Sequence, residues 1–200
     1  MTTPAFTELL EEARAAHARV PALAEFCDFP DDLSEADWTP RHIPAADLML
    51  DDPAMIAADT DPLAKAFVKA GHDAFWRLTY ENTDIGDDFM NRFACYCLIG
   101  GGGPWVSEKY AAYVVYMPPG LWYPWHHHPA EEIYYVLAGE ADFLREGEAK
   151  ETLRTGDISF HATNQPHATE THDKGMMAMV LWRNEFDSPP VLTERDVRTL

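Results

Sequence analysis

The spacing of hydrophobic residues changes near residue 93. Before that point apolar residues recur at the interval of a helix, in one stripe at residues 6–13 and another at residues 63–74. A proline, Pro4 or Pro62, precedes each stripe, and proline is favoured at the first position of a helix. The pattern therefore predicts a mainly helical N-terminal region over residues 1–93.

After residue 93 the apolar residues are continuous or alternate, which is typical of strands. The predicted strands cover residues 93–100, 110–117, 122–128, 131–138, 140–144, 151–153, 158–161 and 176–182, and one more begins at residues 166–167. Turns containing glycine or proline separate them, and short strands at regular intervals indicate a β-sandwich or β-barrel. Residues 28–44 are rich in proline and aspartate and predict a loop, with a short turn at residues 34–38.

The segment around residues 126–134 carries the candidate chemistry. Alternate side chains of a strand share a face, so His126 and His128 point the same way, and so do Glu132 and Tyr134. If these two strands pair as a hairpin, the two imidazoles and the carboxylate meet with Tyr134 beside them. Two imidazoles and a carboxylate are suitable ligands for a divalent first-row metal.

The spacing G-x5-H-x-H-x3-E-x6-G resembles the first cupin motif, with Gly120, His126, His128, Glu132 and Gly139 at its fixed positions. The resemblance implies a mainly β fold, a single-domain cupin β-barrel (double-stranded β-helix, jelly-roll-like) over residues 94–200. The α-helical N-terminal region, residues 1–93, is then expected to pack on this barrel.

The second cupin motif is only partly present. Gly156 opens it and His167 falls on its histidine, whereas Ala162, Asn164 and Thr171 replace its proline, glycine and asparagine. Asparagine tolerates a positive φ, so a turn at residue 164 is still expected. The implied metal ligands are His126, His128, Glu132 and His167, with His161 and His172 left as alternatives to His167. The metal is one divalent transition metal, and iron, zinc, manganese, cobalt and nickel all suit these ligands.

Charge and cysteine content narrow the classes of partner. The net charge of −19 argues against nucleic acid and against anionic membrane surfaces. Cys27, Cys95 and Cys97 form no disulfide framework and predict free buried thiols, which fits a reducing compartment. No signal peptide or membrane-spanning run is visible, so a cytoplasmic protein is expected. A homodimer is left open, because exposed sheet edges often pair.

Aromatic residues cluster around the predicted metal site: Trp122, Tyr123, Trp125, Tyr134 and Trp182. Such rings bind an onium cation at roughly 0.5–2 kcal/mol each. A nearby dication favours ionisation of the Tyr134 hydroxyl, which then serves as a base. A metal for a carboxylate and aromatic rings for a cation together indicate a small zwitterionic substrate.

The run from Tyr123 to Tyr134, following a helical region, resembles the dimethylsulfoniopropionate (DMSP) lyases of the DddQ type. The resemblance implies cleavage of DMSP to dimethyl sulfide and acrylate, with Tyr134 as catalytic base and Tyr123 and Trp182 lining the substrate pocket. Tyr123 remains an alternative base. Trp122 and Trp125 are expected to bind substrate as part of the aromatic cluster.

Three other functions use similar residues. An Fe(II)-dependent cupin dioxygenase acting on a small thiol or acid is the main alternative, because the same ligands serve it. A ligand sensor is disfavoured, since the acidic N-terminal helices offer no basic recognition helix. A sugar isomerase would require basic residues for phosphate, and the site region has few.

Overall fold

The computed structural model describes residues 2–57 and 60–194, so residues 195–200 of the predicted barrel region lie outside the described residues. The helices are α1 (Pro4–Arg19), α2 (Pro21–Phe26), α3 (Pro44–Leu50), α4 (Pro62–Gly71) and α5 (Asp87–Met90), with a 3₁₀ turn at Pro53–Met55. The strands are β1 (Ser34–Glu35), β2 (Ala94–Ile99), β3 (Trp105–Val106), β4 (Tyr110–Met117), β5 (Trp122–His127), β6 (Glu131–Arg145), β7 (Glu151–Arg154), β8 (Ile158–His161), β9 (His167–Glu170), β10 (Met176–Arg183) and β11 (Val191–Leu192).

The helix starts follow from local capping. Helix α1 begins at Pro4, as predicted, and the Thr3 hydroxyl accepts a hydrogen bond from the Phe6 backbone N–H. Helix α4 begins at Pro62, where the Asp61 carboxylate accepts from the Leu63 N–H at 2.9 Å. Both caps bind backbone donors that the first turn of a helix leaves free. The turn predicted at residues 34–38 is wrong, because β1 pairs there with β3.

The strands form one continuous sheet in the order β1-β3-β2-β4-β10-β6-β9-β5-β11, with β7 and β8 also paired to β6. Strand β6 links the two walls of a barrel: its first part pairs with β10 and β8, and its last part with β7 and β9. The bend comes at Gly139, whose φ is +77°. A Cβ there would lie 1.8 Å from the Gly175 carbonyl oxygen, so only glycine fits.

Two separate cores explain why β2, β4 and β10 are almost wholly apolar. Along β4, Tyr110, Ala112, Val114 and Tyr116 pack against the N-terminal helices. The alternate residues, including Tyr113 and Val115, face the barrel interior. A sheet covered on both faces needs apolar residues at every position. The mainly β barrel with a helical N-terminal region that the sequence predicts is confirmed.

Candidate functional site

A buried group of three side chains lies inside the barrel. Donor atoms of His128, Glu132 and His167 all lie within 4.8 Å of one another. The Glu132 Oε2 atom is 3.4 Å from His128 Nε2 and 3.2 Å from His167 Nε2. Each of the three residues is no more than 2% exposed. Two imidazoles and a carboxylate gathered so closely can bind a divalent cation.

The three side chains come from opposite walls of the barrel. The prediction that β5 and β6 pair as a hairpin is therefore wrong. Strand β5 pairs with β9 and β11, whereas the start of β6 pairs with β8 and β10. The chain crosses from one wall to the other at residues 128–130, so the side chains converge across the interior. The pairing of His126 with His167 in β5 and β9 brings His167 to the same place.

The backbone fixes the tautomer of each histidine in this region. The Nδ1 atom of His126 lies 2.8 Å from the Pro124 carbonyl oxygen, and that of His128 lies 2.9 Å from the Ala130 oxygen. The Nδ1 atom of His167 lies 2.8 Å from the Gln165 oxygen. A carbonyl oxygen only accepts, so Nδ1 carries the proton and Nε2 presents a lone pair.

The free lone pairs fit a metal. Among the described residues, His128 Nε2 and His167 Nε2 are buried without a hydrogen-bond partner. Buried polar atoms are rarely left unpaired, and each such atom calls for an explanation. A divalent cation between these nitrogens and Glu132 supplies the missing partner, and the bond from Nδ1 to a carbonyl is the usual outer support of a metal-bound histidine.

Glu132 is held on both oxygens. Oε1 accepts from the Trp182 indole N–H at 2.5 Å, and Oε2 accepts from His161 Nδ1 at 2.5 Å. Burial alone would raise the pKa of Glu132, but the histidines around it keep that pKa well below its ordinary value. Burial and the neighbouring His167 lower the pKa of His161 to about 3. Glu132 is therefore ionised and His161 is neutral at pH 7.

The other candidate histidines lie outside the close group. His126 stacks on Tyr123, with ring centroids 4.0 Å apart, and its ring meets that of His167 at 4.1 Å. Its predicted role as a ligand stays a prediction, because its ring lies beside the three-residue group. His161 contacts the group through Glu132, and His172 lies on Asp142 at 3.0 Å with its side chain 57% exposed.

A small cavity of about 40 Å³ opens onto Glu132. Tyr123, Tyr134 and Trp182, three of the predicted substrate-site residues, line it. Tyr134 is 3% exposed and lies between Phe143 and His161, with ring centroids 5.4 Å from each. Burial raises the pKa of Tyr134 well above its ordinary value.

Tyr123 is equally enclosed. Its hydroxyl shares a 2.7 Å hydrogen bond with the Tyr80 hydroxyl, and its ring contacts Phe89 and Phe93 at 5.1 and 4.8 Å. Burial raises the pKa of Tyr123 well above its ordinary value as well. The stacked rings fix Tyr123 against His126, so its hydroxyl has one orientation.

Trp122 and Trp125 lie elsewhere. They pack with Leu144 and Ala168 and line a second cavity with Leu192. The register of β5 against β9 shifts between Tyr123 and His126, so simple alternation fails there, and both tryptophans lie outside the lining of the cavity at Glu132. The structure therefore separates them from the aromatic residues around Glu132, and their predicted substrate contacts have no support in this geometry.

Sequence reasoning missed part of the cavity wall. Arg77, Thr79, Phe93, Cys95 and Tyr113 also line it. The segment holding the first two lies against β2, since the Arg77 N–H donates to the Cys95 carbonyl at 2.8 Å. No motif surrounds either residue, and the sequence contained no signal that would bring this segment to the barrel.

Comparisons with known proteins agree on one family. The family model described as dimethylsulfoniopropionate lyase matches residues 14–178. Dimethylsulfoniopropionate lyase DddQ of Ruegeria pomeroyi strain DSS-3 is 55% identical over 192 residues, which cover 96% of each chain. The crystal structure of that DddQ superimposes with a TM-score of 0.94 at 54% identity, covering 98% of this chain and 100% of that one.

A second solved structure is similar over nearly the whole chain. It comes from the crystal structures of the DMSP lyases RdDddP and RnDddQII and has a TM-score of 0.89 at 34% identity, covering 95% of this chain and 98% of that one. Within the described residues, none of the helices combines the length and the apolar character needed to cross a membrane.

Proposed function

This chain belongs to the dimethylsulfoniopropionate lyase family, and we propose that it cleaves DMSP to dimethyl sulfide and acrylate at a metal-containing site in its barrel. It is a lyase. The observation that carries the proposal is the group of His128, Glu132 and His167. Glu132 lines the same cavity as Tyr134, and its Oε2 lies 3.4 and 3.2 Å from the unpaired Nε2 atoms of the two histidines. The family match favours elimination over the dioxygenase that the same ligands also serve.

The cavity suits a small zwitterion with an onium group. The rings of Phe93, Tyr113, Tyr123 and Trp182 line it. Aromatic faces attract a cation at roughly 0.5–2 kcal/mol per ring, more when water is excluded. Glu132 adds an ionised carboxylate to the same wall. A sulfonium is a cation without N–H donors, so ring faces recognise it better than hydrogen-bond acceptors do.

The proposed reaction is a β-elimination. A base removes the proton from the carbon next to the carboxylate, and the electron pair of that C–H bond forms the new carbon–carbon double bond. The bond from the β-carbon to sulfur breaks, and its electron pair stays on sulfur. Dimethyl sulfide leaves as a neutral molecule, and acrylate keeps the carboxylate.

Tyr134 is the proposed base. Tyr134 lines the cavity, and its ring is fixed by Phe143 and His161, so it meets a bound substrate in one orientation. A divalent metal at the neighbouring group would supply the positive charge that favours the phenolate and draws electrons from the substrate carboxylate. Tyr123, on the same wall and bonded to Tyr80, is the alternative base.

The proposed metal ligands are His128, Glu132 and His167, with His126 as a fourth candidate beside them. Iron, zinc, manganese, cobalt and nickel all bind such ligands, and geometry alone does not choose among them. A cytoplasmic location is supported by the free cysteines, of which Cys95 and Cys97 are buried. A homodimer stays a prediction.

The direct test measures dimethyl sulfide in the headspace over purified full-length protein supplied with DMSP. We expect release without oxygen consumption, and loss of release after treatment with a chelator. Tyr134→Phe should lower kcat by at least about 100-fold while metal content stays unchanged, because a general base contributes about 10²–10⁴-fold. Tyr135→Phe, on the opposite face of β6, is the matched control and should retain activity.

Two results would contradict the proposal. Undiminished release by Tyr134→Phe would exclude this base and point to Tyr123. Full activity after complete removal of metal would exclude the metal-dependent scheme as a whole.

A further inference from the structure

Arg77 is a cation inside the wall of the catalytic cavity. Its guanidinium lies over the Tyr113 ring, 5.1 Å from the centroid. The polar groups that act on it are the thiols of Cys95 and Cys97 and the hydroxyl of Tyr113. Burial raises the pKa of Cys95 to about 11 and that of Cys97 to about 12, so these neighbours are neutral at pH 7.

Three described arginines lie over an aromatic ring without a carboxylate partner: the exposed Arg14, Arg41, and Arg77, which is the one that lines this cavity. Five other arginines pair with carboxylates within the described residues: Arg19 with Asp61, Arg92 with Asp88, Arg145 with Glu148 and Glu151, Arg154 with Glu140, and Arg183 with Glu131. In the same part of the chain, Arg77 has no such ion pair. Arg77 is half-buried, and a charge partly removed from water without an ion pair is costly, so a bound anion would stabilise it.

An unpaired hydroxyl lies two residues along the chain, in the turn that follows Arg77. The Thr79 hydroxyl oxygen is buried without a hydrogen-bond partner in the described residues, and Thr79 lines the same cavity. The thiol of Cys95, a weak hydrogen-bonding group, is its polar neighbour. Arg77 lines this cavity as well. A guanidinium and a hydroxyl therefore border one small space together.

We propose that Arg77 and Thr79 bind the carboxylate of the substrate and of the acrylate product. A guanidinium presents N–H donors in a fork that matches the two oxygens of a carboxylate, and a hydroxyl adds one donor. This contact is additional to the metal, since a carboxylate has enough lone pairs for both. The identity of the anion rests on the proposed lyase function, whereas the anion site itself rests on a guanidinium without a carboxylate partner beside an unpaired hydroxyl.

A carboxylate bound by Arg77 fixes the orientation of the zwitterion in the cavity. The carboxylate end lies toward Arg77, and the onium end lies away from it, because like charges repel. Tyr113 carries the guanidinium on its face and touches Trp182 edge-on, with centroids 5.5 Å apart. The aromatic surface left for the onium group is then that of Trp182, Tyr123 and Phe93.

The test compares binding of propionate with binding of trimethylsulfonium, which carry the two ends of the substrate separately. Both affinities are measured by calorimetry on purified full-length, metal-loaded protein. Arg77→Gln should weaken propionate at least about tenfold and leave trimethylsulfonium unchanged or tighter, because a hydrogen-bonded charge pair is lost. Thr79→Val, which keeps the shape of the side chain, should weaken propionate about threefold to tenfold.

The control is Arg154→Gln, since Arg154 of β7 is an exposed arginine that pairs with Glu140 of β6. It should change neither affinity. Arg77→Lys keeps the charge without the fork and should fall between wild type and Arg77→Gln for propionate. In the absence of ligand, Arg77→Gln should have a melting temperature equal to or above that of wild type, because it removes a half-buried charge that has no ion pair.

Unchanged propionate affinity in Arg77→Gln would overturn the proposal and leave the carboxylate to the metal alone. An equal loss for propionate and trimethylsulfonium would also overturn it, since Arg77 would then only support Tyr113. A charge-selective loss supports it whatever the melting temperature. These binding results do not depend on turnover, so a protein that releases no dimethyl sulfide but binds propionate through Arg77 would refute the lyase proposal alone.

Discussion

His161 offers the sharpest test of the proposed metal centre, because it touches the centre without being one of its three close ligands. Its Nδ1 donates to Glu132 Oε2 at 2.5 Å, and its Nε2 lies 3.0 Å from the Ser159 hydroxyl. The side chain is buried, with 1% of the residue exposed. His161→Phe keeps a planar ring in this space and removes the donor.

The size of the effect follows from that bond. A hydrogen bond to a charged group contributes about 1.5–3 kcal/mol, and burial of Glu132 keeps water from replacing the lost donor. The loss of an outer partner of a metal ligand typically lowers metal affinity about 10–100-fold. That range corresponds to about 1.4–2.7 kcal/mol, so the two estimates agree.

The assay is competition for zinc between the purified protein and a chromophoric chelator at pH 7. We expect His161→Phe to bind about 10–100-fold more weakly than wild type. His161→Gln is the matched variant, because its amide N–H₂ still reaches a carboxylate as a donor, and its loss should be smaller. Unfolding by urea, measured on the metal-free proteins, provides the control for general damage.

Equal zinc affinity in wild type and His161→Phe would refute the reasoning, because Glu132 would then not depend on His161 for its orientation. Equal losses in His161→Phe and His161→Gln would also contradict it, since the donor would be irrelevant. Neither outcome depends on measuring turnover.

Two further predictions concern stability. Gly139→Ala should lower the free energy of unfolding, measured in urea, by more than ~2 kcal/mol. A left-handed backbone costs a residue with a side chain ~1–3 kcal/mol, and the new Cβ would also collide with the Gly175 oxygen. Gly147→Ala is the control, since φ there is +84° but no atom lies within 4 Å; it should lose less, and equal losses would mean that the collision is relieved. Asp142→Asn should remove up to about 2 kcal/mol at pH 7, since the bond to Lys150 and neighbouring donors outweigh burial and lower the pKa of Asp142 from 3.8 to about 2. A group with a depressed pKa stabilises the fold above its unfolded value, so the difference from wild type should be complete above pH 4 and vanish as the pH falls through about 2; a difference that persisted at pH 2 would contradict this assignment.

The sequence by itself determined where the strands of the barrel lie. The apolar runs at residues 110–117 and 176–182 correspond to β4 and β10, and residue 164 adopts the positive φ expected of a turn asparagine, at +58°. These features depend on neighbours within a few residues. Local backbone preference and side-chain alternation are therefore enough to specify them.

The sequence also determined most of the proposed metal group. His128 and Glu132 are four residues apart, and a chain that short keeps their side chains near each other in many arrangements. His167 lies far along the chain, and only its place in a second motif pointed to it. The resemblance to a known pattern of spacing replaced the missing long-range information.

The tertiary structure alone decided how these parts meet. Strand alternation says which side chains share a face, but it does not say which strand lies alongside, and the predicted hairpin of β5 and β6 proved to be two opposite walls. Long-range packing also separated Trp122 and Trp125 from the cavity at Glu132 and brought Arg77 and Thr79 into its wall. Such contacts join segments tens of residues apart, and their free energy depends on burial across the whole barrel rather than on any local pattern.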